Sequence, residues 1–341
     1  MGLFVEEGTG RPRAVWRLLF QYGAYRALAP LLVNLLALAW LLVGSGLEIG
    51  APGEPDVSNL YGSPALPLIG GVAALMGVLI SVWLAGRFLD RRPFADFGFH
   101  LNGGWWVDFC FGVVLGALLM SAIFFVELGF GWITVTGTFQ TLLPGTPFAL
   151  AILLPTTLFL CVGVYEELLF RGYQIRNAAE GLNLPVVGPR NAVILAWVLS
   201  SAFFGYLHAD NPNATLLSTL NITLAGMMLG LGYALTGELA IPIGLHISWN
   251  FFQGNVFDFA AVSGLEPVGA TFLSTEGGGP GLWTGGPFGP EAGLLGPAAM
   301  ILGSLLIALW VRLRYGKLAI HTSIAEGPQP DRSVSAASQR R

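Results

Sequence analysis

The chain is short of charge. Only 11% of its 341 residues are Asp, Glu, Lys or Arg, against about a quarter in soluble domains. That excludes an ordinary soluble enzyme and a charged, disordered tail protein. Basic residues are scarce as well: 16 Lys and Arg stand against 20 Asp and Glu, a net charge of −4. No cationic footprint exists for DNA or RNA, so nucleic acid is excluded as a partner. Cysteine is nearly missing. Cys110 and Cys161 both lie in apolar runs, without the spacing of a metal site or a disulfide framework. No internal repeat is visible either.

What fills the chain instead is hydrocarbon: 54% of residues are hydrophobic. The 47 Gly and 21 Pro are tolerated in membrane helices. A bilayer core about 30 Å thick takes about 20 apolar residues per helix. Eight stretches qualify: Leu28–Gly44, Pro67–Gly86, Val107–Phe130, Phe148–Phe170, Ala192–His208, Leu216–Leu235, Leu239–Phe257 and Leu294–Val311. The expected fold is all-α, a polytopic membrane bundle of about eight transmembrane helices.

The expected organisation follows from these spans. Residues 1–27 form a basic, partly amphipathic leader on the membrane surface, and 28–86 hold two transmembrane helices. Residues 87–257 are the core with the chemistry, and 258–293 form a Gly/Pro-rich loop, flexible or capping. The last transmembrane helix occupies 294–317, and 318–341 is a disordered tail. With both termini in the cytoplasm, all 16 basic residues fall on one side, as the positive-inside rule requires. The protein is expected to be a multi-pass integral protein of the cell (plasma) membrane. Gly112 with Gly116, and Gly226 with Gly230, are spaced for close helix contact, more simply inside the bundle than between copies.

Ionisable groups in hydrocarbon are costly, so each is a candidate for function. They gather in three places. In Glu166-Glu167-Leu168-Leu169-Phe170-Arg171, adjacent carboxylates point about 100° apart on a helix. Glu167 can pair with Arg171 four residues on, which leaves Glu166 without a local partner. Phe204-Gly205-Tyr206-Leu207-His208 ends the next span. His246 and Asn250, four apart, share a helix face, where interhelical glue and catalysis are equally good readings of the pair alone. Taken together, Glu166, His208, His246 and Asn250 supply what amide hydrolysis needs. A carboxylate takes a proton from water, and N–H groups meet the oxygen that becomes negative. Tyr165 and Asn221 could reach the site but are not counted among its residues, while Glu127 and Asp108 read as groups at the membrane interfaces.

One geometric demand follows. At about 1.5 Å per residue, His208 lies about 27 Å along its helix from Arg190, but His246 only about 12 Å from Glu238. The groups meet only if Glu166 sits well inside a helix running past Arg171. In addition, either the fifth span must be shifted or His246 must lie deeper than the span boundary implies.

Glu166-Glu167-x-x-x-Arg171, Phe204-x-x-x-His208 and His246-x-x-x-Asn250, in this order, resemble the three motifs of the CPBP intramembrane proteases. That family includes the type II CAAX prenyl endopeptidases and bacterial relatives often labelled Abi proteins. The segment Arg91-Arg92-Pro93-Phe94-Ala95-Asp96-Phe97-Gly98-Phe99 is also similar to one that leads into this domain. The resemblance covers about residues 148–257, more loosely from 87. It implies an intramembrane endopeptidase acting on a membrane-associated or lipid-modified protein in the bilayer. Glu166 would be the general base, helped by His208; His246 and Asn250 would stabilise the oxyanion; Glu167 and Arg171 would support them. Members are also described as metalloproteases, and Glu166, His208 and His246 would be the zinc ligands. The helical HExxH signature is missing, and the metal-free glutamate mechanism, with no cofactor, is the favoured expectation. Two alternatives use the same polar cluster differently: a non-catalytic membrane scaffold or immunity factor, and a transporter.

Overall fold

The computed structural model describes residues 2–44, 63 and 65–328. Among them, seven helices are long and apolar enough to cross a membrane, and the chain is an integral, multi-pass membrane protein of all-α class. In chain order, α1 is Ala14–Gly44 and α2 is Ala65–Ala85, with a π-helical turn at Gly86–Asp90. Helix α3 is Gly103–Gly129. Helix α4, Leu153–Glu167, runs on through a π-helical stretch, Leu168–Ile175, into Arg176–Leu182. Helices α5 and α6 are Gly188–Leu207 and Leu216–Thr236. Helix α7 is Ala240–Phe251, and α8 is Leu295–Tyr315.

Helix α7 is the expected span that falls short. It has 12 residues and a five-residue π-helical extension, Phe252–Val256, about 25 Å in all at helical rise. The physical reason lies in its sequence: Ala240-Ile-Pro-Ile-Gly-Leu-His is apolar around its whole circumference as far as the histidine, and every one of these residues is buried. Such a helix belongs in the middle of a bundle. Glycines bring its backbone against α3. A Cβ on Gly112 would lie 2.4 Å from the Ile241 carbonyl oxygen, and one on Gly116 2.6 Å from that of Leu245. On α6, a Cβ on Gly226 would lie 3.1 Å from the Ser201 Cα, and one on Gly230 2.5 Å from the Trp197 ring. Both glycine pairs are thus used inside the chain.

Three expectations change with the structure. The leader does not lie apart on a surface: residues 14–27 belong to α1. Arg11 and Arg17 are buried and bind Glu180, while Arg17 also binds Asp90 at 2.7 Å. The loop 258–293 is built rather than loose. Its strand β2, Ala270–Gly277, pairs antiparallel with β1, Ile133–Thr141, between α3 and α4. Alternating Thr and Val at the start of β1 suit a strand, a pattern hidden between two dominant apolar runs. The start of the tail also packs. Asn183 donates to the Ala325 carbonyl, and Ile324 and Ala325 are buried. The rest of the tail, and most of the loop after the first span, lie outside the described residues. Asp108 does anchor α3, accepting from Arg314 at 2.8 Å and Trp310 at 2.9 Å on α8.

Candidate active site

The demand on depth is met by two features. Helix α4 continues from Glu166 to Leu182, about 24 Å at helical rise, against about 30 Å from Gly188 to His208 on the antiparallel α5. Glu166 and His208 therefore reach similar levels. Helix α7 begins inside the bundle: a Cβ on Gly172 of α4 would lie 3.1 Å from the Leu239 side chain. From that level, Glu167 and His246 are each roughly 7–11 Å along their own antiparallel helices, and they meet.

At the meeting point His246 Nδ1 lies 2.7 Å from Glu167 Oε1. The carboxylate can only accept, so the ring donates from Nδ1 and its Nε2 faces Glu166 Oε2 at 3.8 Å. Glu167 Oε1 also accepts from Arg171 at 2.9 Å. Arg171 in turn donates to the Gly226 carbonyl of α6 and stacks its guanidinium 4.5 Å from the Phe204 ring centroid of α5. One buried ion pair therefore fixes three helices and one imidazole. Glu166 is held differently. Its Oε1 accepts from the Tyr165 hydroxyl at 3.1 Å, while its buried Oε2 has no hydrogen-bond partner among the described residues.

His208 caps α5, with Nδ1 2.8 Å from the Phe204 carbonyl, to which it donates. Its ring lies 4.6 Å from that of Phe204, which in turn lies 6.3 Å from His246. Asn250 is buried one turn beyond His246, and its amide has no bond among the described residues. Glu166, His208, His246 and Asn250 line a single cavity of about 600 Å³. Its walls are mostly apolar, with Gly70 and Gly71 of α2 facing Leu158 and Val162 of α4. The cluster expected from separate helices is thus assembled; Glu167 and Arg171 stand behind it rather than in it. Two of the three π-helical stretches among the described residues begin next to site residues, after Glu167 on α4 and Phe251 on α7. Such bulges concentrate at functional sites because they re-aim side chains.

The zinc reading fits less well. Among the described residues, no three His, Cys, Asp or Glu side chains are grouped to hold a metal ion.

Glu291 is not among the expected site residues, since it falls in the loop expected to be flexible or capping. It is buried and lines the cavity. Its carboxylate accepts from Trp249 and Gln253 of α7 and its extension, at 3.2 and 3.3 Å, and from the backbone and hydroxyl of Ser263, at 2.7 and 2.9 Å. Asn221 of α6 donates to the carbonyls of Glu291 and Gly293, so it serves the loop and not the cavity. A signal did exist: Glu291 is the single charged residue between Glu276 and Arg312. An acid so isolated among apolar residues needs a partner inside.

Residues 146–252 match the family described as type II CAAX prenyl endopeptidase Rce1-like. That range contains Glu166, Glu167, Arg171, His208, His246 and Asn250, and it leaves out Glu291. No curated protein and no solved structure matches the chain.

Proposed function

We propose that this chain, whose residues 146–252 match the type II CAAX prenyl endopeptidase family, hydrolyses a peptide bond of a membrane-associated or lipid-modified protein with water activated by Glu166. The observation that carries the reading is the free Oε2 of Glu166, buried at the rim of the cavity and 3.8 Å from His246 Nε2. A buried carboxylate oxygen without a partner is costly, and a substrate water would satisfy it.

In the proposed reaction Glu166 Oε2 takes a proton from that water, helped by the free nitrogen of His208, as the water oxygen attacks the scissile carbonyl. A C–O bond forms, and the carbonyl oxygen becomes an anion. The imidazolium form of His246 donates from Nε2 to this oxygen, and the unspent amide of Asn250 gives a second hydrogen bond. Glu167 balances the imidazolium and fixes its ring; Arg171 holds Glu167. The C–N bond then breaks, and Glu166 returns the proton to the leaving amine, so no external proton is needed. No metal is required for these steps. The apolar walls suit an extended, greasy or prenylated peptide. We place both termini on the cytoplasmic side of the plasma membrane, because the basic residues gather at that end of the helices.

The test is Glu166→Gln, in purified protein in lipid nanodiscs, with a prenylated fluorogenic peptide and its unprenylated twin. Loss of a general base predicts a fall of about 100- to 10,000-fold in kcat, with the thermal unfolding midpoint unchanged. Chelator should leave wild-type cleavage intact. Cleavage that survives in the variant would discard the glutamate mechanism, and cleavage abolished by chelator and restored by zinc would transfer it to a metal.

A further inference from the structure

A second cavity, of about 500 Å³, lies at the other end of α2. The candidate active site touches Leu66 to Gly71, whereas this one is lined by Trp83 and Arg87, about 24 Å further along at helical rise. The π-helical turn Gly86–Asp90 ends in Arg91, which adopts a left-handed conformation at φ 53° and reverses the chain. The reversal brings Arg91, Arg92 and Phe94 back beside Arg87 and Trp83, so that three guanidinium-bearing residues line one hollow.

The charges there are unequal in their commitments. Arg92 is spent: it binds Glu180 at 2.5 Å and Asp96 at 3.6 Å. The nearby acids are spent too, since Glu180 also serves Arg11 and Arg17, and Asp90 serves Arg17 and Tyr173. Among the described residues Arg91 meets no carboxylate; its guanidinium donates to the carbonyl oxygens of Thr9 and Gly10, at 3.0 and 3.3 Å. Arg87 is exposed and has neither hydrogen bond nor ion pair among the described residues. Two uncompensated cations therefore share a hollow at the end of a membrane-crossing helix. Beside it stand the exposed rings of Trp83 and Phe88, 6.2 Å apart. A tryptophan ring such as that of Trp83 sits at headgroup level.

We propose that this hollow binds the phosphate of an anionic phospholipid headgroup, with Arg87 and Arg91 as its ligands and Trp83 and Phe94 against the upper acyl chains. Guanidinium groups match phosphate oxygens in pairs, and basic hollows between membrane helices hold such headgroups. The site is separate from the proposed chemistry, and the hydrolytic reading can fail without affecting it.

The experiment uses full-length protein in detergent, titrated with short-chain phosphatidylglycerol, short-chain phosphatidylcholine or inorganic phosphate, and read by native mass spectrometry and thermal shift. The expected result is preferential retention of phosphatidylglycerol and a raised midpoint. In Arg87→Gln, binding should weaken about tenfold or more, the loss of one charge-assisted contact. Arg87 has no partner among the described residues, so that variant is expected to keep the wild-type midpoint without lipid; Arg87→Lys should recover part of the affinity. Equal binding of the two lipids, or unchanged binding in Arg87→Gln, would overturn the proposal. So would inorganic phosphate binding as tightly as the lipid, which would make the site one for a soluble anion.

Discussion

Two buried ionic clusters stand at different heights in this bundle, and they are finished to different degrees. Near the basic end, Glu180 accepts from Arg11, Arg17 and Arg92, and Asp90 accepts from Arg17 and Tyr173. In the middle, Glu167 is saturated on one oxygen by Arg171 and His246, yet Glu166 Oε2 and the Asn250 amide have no partner. The first cluster pairs every carboxylate with arginines and holds α1, α2 and α4 together, although the Nε atoms of Arg11, Arg17 and Arg92 have no partner among the described residues. The second keeps polar groups unspent in an apolar setting, where they cost stability unless something else binds them. Charge in a membrane does not by itself mark chemistry. What marks it is a charge that the fold leaves unpaired beside a cavity.

The comparison breaks most visibly at Glu180. Glu180→Ala removes the carboxylate that Arg11, Arg17 and Arg92 share, and removing one partner of a buried pair costs about 3–5 kcal/mol. Thermal unfolding in detergent should show this loss, while cleavage per folded molecule stays near wild type. A variant as stable as wild type would mean that the network is not structural. Asn250→Ala should do the reverse. Its amide holds nothing together, so stability should barely move, whereas kcat should fall about 100- to 1,000-fold, the usual cost of one oxyanion donor. A fall in stability with kcat intact would return Asn250 to interhelical glue. Glu291→Gln should have the smallest effect, because glutamine keeps the size and one acceptor oxygen. We expect about 1.5–3 kcal/mol of lost stability, the scale of one hydrogen bond to a charged group. KM should rise several-fold with kcat retained, as the loop shifts over the cavity. A fall in kcat as large as that of Glu166→Gln would place Glu291 among the reacting groups.

How much of this was legible beforehand varies from residue to residue. Glu166, His208, His246 and Asn250 stood out because polar groups are rare in these spans, and their order followed a known pattern. Glu291 was missed since a Gly/Pro-rich loop was read as flexible or capping; its carboxylate lines the cavity because Ser263, Trp249 and Gln253 hold it there. Arg17 was read as a surface cation because no local sequence predicts an acid more than 70 positions away, yet Asp90 meets it at 2.7 Å. Helix α7 was read as an ordinary span, since an apolar run reports hydrophobicity but not whether lipid or protein surrounds it. The strand pair β1–β2 depends on residues far apart in the chain.

The sequence by itself determined that the chain crosses a membrane many times as helices, because hydrocarbon leaves a backbone no other way to satisfy its N–H and C=O groups. It also determined which few ionisable side chains had to be accounted for inside. Only the tertiary structure decided which of them were spent. Pairing depends on depth and facing, and these were set by the length of α4 beyond Glu166, by the inward start of α7 and by glycines that let α3 and α7 touch.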